Sequence, residues 1–173
     1  LSPEFDVNGI YQDGSTYSTG GLDGIGYSYS AKLLSTSRVF NGILFDIGPA
    51  NQPDAISCTG QSIPLPQGKA SSVMLLATGI HGSQASQTLT VNYTDGTSSQ
   101  FVQSFSDWFT PQKFAHEFEG VAMAYRNFED GTRDRRTFSL YAYRFILNPA
   151  KTVQSLTLPN NPNVVVLAAT VLP

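Results

Sequence analysis

Residues 20–26 read GGLDGIG, four glycines around one carboxylate, and YSYS follows at 27–30. Such a run could cradle a phosphate, wrap a metal ion or turn the backbone so that Tyr27 and Tyr29 meet a ligand. A phosphate loop needs a Lys followed by a Ser or Thr after its last glycine, and no such pair is there. A dinucleotide fingerprint fails as well, because Gly24 and Gly26 are followed at the third position by Tyr29. A calcium loop of the EF-hand type needs alternating acids, and Asp23 is the only acid between Gly14 and Asp46. Backbone carbonyls could still complete a calcium site around Asp23 or Asp13. In extended backbone Tyr27 and Tyr29 share one side and Ser28 and Ser30 the other, so the expectation is that Gly21, Gly24 and Gly26 set an irregular turn delivering both tyrosines to one edge of the fold. There they are either ligand contacts or a buried pair closing the end of the domain.

The second stretch with chemical content is SFSDWFTP, residues 104–111, which holds the only tryptophan. Asp107 and Trp108 leave an apolar run and enter a long loop. A flat ring there can pack on the C–H face of a sugar while the carboxylate accepts its hydroxyls. Arg126 and Asn127, at the end of AYRN, could add donors. The competing reading makes Trp108 a core anchor.

Catalytic patterns are sparse. A Ser-His-acid set would have to use His81 or His116, and the G-x-S-x-G elbow is absent from the chain. His116-Glu117 has no second histidine at helical spacing, so a zinc helix is not formed. Glycoside hydrolysis needs two facing carboxyls, and Asp107, Glu117 and Glu119 flank one loop. Asp107 or Glu117 with His116 and Tyr125 is therefore the enzyme alternative, as a glycosidase or lyase.

The elements that must position these residues are strands. Helical periodicity is nearly absent, and short runs rich in Val, Leu, Thr, Phe and Tyr alternate with turn residues. Strands are expected at 38–47, 55–58, 72–80, 87–93, 99–105, 120–127, 136–147, 152–158 and 164–171, which suits an all-β antiparallel sandwich. Asp95-Gly96 and Asp130-Gly131 each predict a hairpin. Leu89, Val91 and Tyr93 should face inward, as should Val121, Met123 and Tyr125. Phe138, Leu140 and Ala142 form one face of their strand. Tyr141, Tyr143 and Phe145 form the other, either a second packing layer or a sugar platform.

Charged residues are only 13% of the 173, and the formal charge is −3 with ten Lys plus Arg, so no basic field awaits nucleic acid. The weakly charged surface suits uncharged partners. Cys58 stands alone, which excludes an internal disulfide and reads as an inert buried thiol. No apolar run is long enough to span a membrane. Asn92-Tyr93-Thr94 matches the N-glycosylation pattern. The length fits one domain over 6–173, with LSPEF at the start read as a processed end or a cloning scar.

Three stretches, LDGIGYSYSAKLL, NGILFDIGPANQPDAISCTGQSIPLP and TVQSLTLPNNPNVVVLAATV, resemble the galactose-binding-like β-sandwich accessory domains and carbohydrate-binding modules of secreted polysaccharide-degrading enzymes. The resemblance implies a jelly roll, a secreted and extracellular setting, a covalently linked catalytic domain, a neutral glycan as partner and room for a structural calcium. It carries over no sugar-contact set. The site residues expected from the local reading are Tyr27, Tyr29, Asp107, Trp108, Arg126 and Asn127 for carbohydrate and Asp23 for a metal. A domain that packs on a catalytic neighbour or another protein is the further alternative, with Tyr141, Tyr143 and Phe145 as its interface.

Overall fold

The segment Ser72–Gly79, SVMLLATG, is a strand buried at every position. A strand with both faces apolar requires a covering layer on each side. The computed structural model describes residues 4–173 and supplies both layers. In chain order the elements are β1 (Ile10–Tyr11), β2 (Tyr27–Ser30), the short helix α1 (Ala31–Leu34), β3 (Ser37–Phe40), β4 (Ile43–Asp46), β5 (Ile56–Thr59), β6 (Ser62–Lys69), β7 (Ser72–Gly79), β8 (Gln84–Tyr93), β9 (Ser98–Phe105), β10 (Glu117–Met123), β11 (Arg126–Phe128), β12 (Arg133–Asp134), β13 (Phe138–Ile146), β14 (Thr152–Thr157) and β15 (Asn160–Leu172).

The central sheet has the order β10-β13-β7-β15-β5 and the second sheet β6-β14-β8-β9. Both are antiparallel throughout. Setting β10 aside, the eight strands β5 to β9 and β13 to β15 cross from one sheet to the other at every step except the β8–β9 hairpin. That order is a jelly roll, with β10 added at one edge. Val73, Leu75 and Ala77 of β7 point into the core between the two sheets, together with Leu89, Val91, Tyr93, Tyr141, Tyr143 and Phe145. Met74 and Leu76 point the other way, with Phe138, Leu140 and Ala142. The aromatic face of β13 is thus a packing layer, not a platform. The opposite core is closed by a patchwork: the small mixed sheet β1-β2-β11-β12, helix α1 and the β3–β4 hairpin.

The Asp95-Gly96 hairpin forms as expected, with Asn92 opposite Ser98. Several other expectations are corrected. Residues 38–47 are two strands, turned at Asn41-Gly42, where φ of 48° and 77° are the left-handed pair that a tight hairpin turn requires. Strand β6 is absent from the expected set; it contains Pro64 and Pro66 and is tolerated as an edge strand paired only with β14. Residues 120–127 divide between β10, which starts at Glu117, and β11 in a different sheet. Asp130-Gly131 turns the short β11 into β12, while the long strands on either side, β10 and β13, still pair with each other. Met123 is buried and Val121 packs against the same core, whereas Tyr125 lies past the strand end. Of the supposed terminal scar, Leu1 to Pro3 lie outside the described residues, but Phe5 packs against the inter-sheet core and belongs to the fold. Cys58 is buried in that core and burial pushes its thiol far up, as an inert thiol should be. Asn92 of the glycosylation pattern sits inside β8, its amide donating to Ser155 and Thr157. No described helix is long and apolar enough to cross a membrane.

Candidate functional site

The glycine-rich run folds around its carboxylate. The Gly26 N–H donates to the Gly20 carbonyl at 2.8 Å and the Leu22 N–H to the Tyr27 carbonyl at 2.7 Å, closing residues 20–27 into a loop. Gly21 has φ of 68°, and a Cβ there would lie 2.2 Å from the Tyr27 carbonyl oxygen, so the loop closes only with glycine. Inside it, Asp23 Oδ1 accepts from the Ile25 and Tyr27 N–H groups at 3.1 Å each. Its Oδ2 faces Arg126 Nη1 at 3.6 Å. Burial pushes the Asp23 pKa up, against the pull of those donors and of Arg126.

Arg126 is the hub of this region. Its guanidinium lies 3.5 Å from the Tyr27 ring centroid, 4.4 Å from Phe138 and 4.8 Å from Trp108. Asp134 completes its charge pairing at 3.0 Å and also holds Arg136. Trp108 meets Tyr29 edge-on at 5.2 Å, and the Tyr29 hydroxyl donates to the Ser139 carbonyl at 2.8 Å. Of the residues expected to bind a ligand, Asp23, Tyr27, Tyr29, Trp108 and Arg126 therefore do come together.

They do so as a packed wall. Trp108 is 3% exposed and Tyr29 fully buried, so neither presents a ring face to solvent; the expected sugar platform is corrected on this point. The physical reason is that the loop after β9 does not leave the sheet: the Trp108 N–H donates to the Gly79 carbonyl and the Trp108 carbonyl accepts from Ser139. Only Tyr27 is half-buried, and Arg126 covers its face. Asp107 and Asn127 point elsewhere. The Asp107 carboxylate is bound by the N–H groups of Gly82 and Phe109 at 2.8 Å each and shapes the loop. Buried Asn127 donates to the Tyr11 carbonyl at 3.0 Å and to Asp13 at 3.2 Å. It joins a network in which Asp13 also accepts from Ser30, Tyr125 and Arg133. Hydrogen bonds from Ser30, Tyr125 and Asn127 outweigh burial and hold the Asp13 carboxyl low.

Beside the Asp23 loop is an open groove of about 400 Å³. Its polar rim is Asp6, Asn8, Thr19, Asp23 and Ser57, and its floor is apolar, with Leu22, Ile80 and Val165 among the floor residues. Asp6 Oδ1 accepts from the Ser57 N–H at 2.8 Å, which joins the start of the chain to β5. The Ser57 hydroxyl donates to the Pro162 carbonyl, and the Thr19 hydroxyl is bonded to that of Tyr11. Asp23 is the one expected residue that reaches this groove. Asp6, Asn8, Thr19 and Ser57 were missed, since contacts across about fifty residues leave no local pattern.

Asp23 does not fit calcium. One oxygen accepts two N–H groups and the other faces a guanidinium, so a cation already occupies its free side. Among the described residues no three His, Cys, Asp or Glu side chains converge as a metal site would need. The acids and bases of the enzyme alternative are not assembled either. Glu117 holds the Ser106 N–H and hydroxyl at 2.9 and 2.6 Å and the Tyr143 hydroxyl at 2.7 Å. Tyr125 belongs to the Asp13 network and His116 to a groove along β9. Glu117 and Glu119 do share a small concavity of about 150 Å³ with Lys113 and Tyr141.

Fold and groove together define a β-sandwich domain of jelly-roll order with a polar cleft at its irregular face. Residues 1–173, the whole chain, match the family model of the AziU2-like beta-sandwich domain, and the chain belongs to that family. No curated protein matches it. The likeness to sandwich accessory domains is thereby met at the level of the fold.

Proposed function

We propose that the chain is a non-catalytic binding module that takes a neutral saccharide in the groove beside the Asp23 loop. The observation that carries this reading is the groove itself. At about 400 Å³ it falls in the size range of small-molecule sites. It combines hydroxyl, amide and carboxylate groups on one rim with an apolar floor, the pairing that a pyranose with one C–H face and one hydroxyl edge requires. The packed cluster joined to it through Asp23, with Arg126 between two carboxylates and three rings, pre-organises Asp23 and the loop around it. A secreted setting and a linked polysaccharide-degrading neighbour belong to the same reading.

The test is a glycan array followed by calorimetry on the best neutral oligosaccharide, with Asn8→Ala and Ser57→Ala as groove variants. Each should weaken binding by about tenfold, the loss of one to two ligand hydrogen bonds, with the fold retained. Absence of any glycan ligand would overturn the reading. So would turnover of a bound glycan that is abolished by Glu117→Gln, because it would move the function to the Glu117–Glu119 concavity.

A further inference from the structure

The two main sheets have four outer edges, and three of them are blocked. Strand β6 carries Pro64, Pro66 and Lys69. The edge at β5 is covered by the start of the chain, through the Val7–Ala55 bridge and the bond from the Ser57 N–H to Asp6. Strand β10 carries Glu117 and Glu119, is bulged between Glu119 and Val121, and has Phe40 against Phe118. Prolines, charges, bulges and covering segments are the usual devices that keep an edge from pairing with another strand. The fourth edge, β9, reads SSQFVQSF, with neither proline nor charge.

The register shows which of its groups are free. The Tyr93 N–H donates to the Thr97 carbonyl at 2.9 Å, so that pair is hydrogen-bonded. Bonded and non-bonded pairs alternate along an antiparallel ladder. Ser99, Phe101 and Gln103 therefore bond to β8, and the N–H and C=O groups of Ser98, Gln100 and Val102 point outward. Among the described residues no other strand pairs with them. Alongside runs a groove of about 360 Å³ in which Phe101, Phe145 and Ile146 supply apolar walls. Exposed Arg144 stands in the same groove; it donates to Ser72 and, among the described residues, has no carboxylate partner.

We propose that the β9 edge binds an extended peptide as an added strand, with an apolar side chain seated among Phe101, Phe145 and Ile146 and a peptide carboxylate on Arg144. Main-chain pairing supplies affinity in this mode and the side-chain groove supplies selection. The free guanidinium decides between occupants. A second copy pairing through its own β9 would bring SSQFVQSF, which has no carboxylate to offer Arg144, whereas an acidic peptide satisfies it. This surface is separate from the saccharide groove, and each binding event stands or falls without the other.

The probe is a pair of fluorescein-labelled, C-terminally amidated eight-residue peptides, alternating threonine and valine and ending in either glutamate or lysine, titrated by anisotropy. The glutamate peptide should bind about tenfold more tightly than the lysine peptide, the scale of one charge-assisted contact. Arg144→Gln should erase that preference. Val102→Pro removes an outward N–H while leaving the β8 ladder intact and should lower affinity for both peptides by about tenfold or more. With the wild-type chain, saturating peptide should slow hydrogen exchange at the Gln100 and Val102 amides, a readout that needs no variant. Unchanged exchange, no binding of either peptide, or equal binding by Val102→Pro would overturn the proposal. Sedimentation as a dimer that Val102→Pro converts to monomer would overturn it in favour of a second copy. Saccharide binding should be unaffected in every arm.

Discussion

The two faces of the central sheet are closed in different ways. Between the sheets, strand packs on strand, and the core is aliphatic and aromatic, with tyrosine hydroxyls reaching its margins to bond Asp107, Glu117 and Ser99. The other face is covered by short, irregular pieces, and it is there that buried Asp23, Ser28, Ser30, Asp54, Arg126 and Asn127 collect. Irregular backbone leaves N–H and C=O groups without a ladder partner, and buried ones must be satisfied by side chains. Asp54 shows this directly, accepting the N–H groups of Gly9 and Ile10 at 2.8 and 3.0 Å. The regular face contributes rigidity. The irregular face carries the polar groups, and the saccharide groove opens on it.

The largest test of that contrast is Leu75→Ala. Leu75 is fully buried between the sheets, and its truncation should cost about 2–5 kcal/mol in denaturant unfolding. A cost near zero would mean that the inter-sheet core repacks freely and is not the rigid half.

Asp54 gives the corresponding test on the other face. Burial raises its pKa from 3.8 to about 7, only partly offset by the two N–H donors. The folded state therefore holds the proton more tightly than the unfolded chain, so this group's contribution to stability is complete below pH 3.8 and is lost as pH rises through 7. Asp23, also raised by burial, acts in the same direction. Asp13 and Asp134, held low by their partners, act in the opposite direction, their contribution being lost as pH falls. Asp54→Asn isolates the effect: the stability of the wild type relative to the variant should fall by a few kcal/mol, on the order of 1.4 per pKa unit, between pH 4 and pH 7.5. Melting curves in which that difference stays constant, or moves in favour of the wild type as pH rises, would show that Asp54 is not a buried titrating group.

Most of the regular face, β6 excepted, was legible in the sequence, and the irregular one was not. Alternation in TLTVNYT placed Leu89, Val91 and Tyr93 inward, and Asp95-Gly96 located the β8–β9 turn, because both signals are local. On β13 the same alternation left two apolar faces and could not tell packing from display; a second core answers that question. The Asn41-Gly42 turn was an available local signal that a continuous apolar run obscured. Trp108 and Arg126 stand out in the sequence by type and by position at strand ends, which leaves open whether Trp108 is a ligand contact or a core anchor. The backbone bonds that fold Trp108 inward come from Gly79 and Ser139, about thirty residues away on each side. The groove rim was out of reach for the same reason, since Asp6 and Ser57 meet only once the sandwich has formed.

Two smaller effects sharpen the comparison. Arg126→Leu keeps bulk between Tyr27, Trp108 and Phe138 but leaves the buried Asp23 without its cation, while Asp134 retains Arg136. The expected loss is about 3 kcal/mol, the low end for one partner of a buried pair. Hydrogen exchange should then quicken in β2 and β11 before β7 if the irregular layer is the softer one. Asn92→Ala on the outer side of the second sheet removes the donors to Ser155 and Thr157, each at 3.1 Å. A half-exposed network of this kind should contribute only about 1 kcal/mol. If Asn92→Ala cost as much as Arg126→Leu, polar side chains would matter equally on both sides of the molecule. The division between a regular half held by apolar packing and an irregular half held by buried polar groups would then fail.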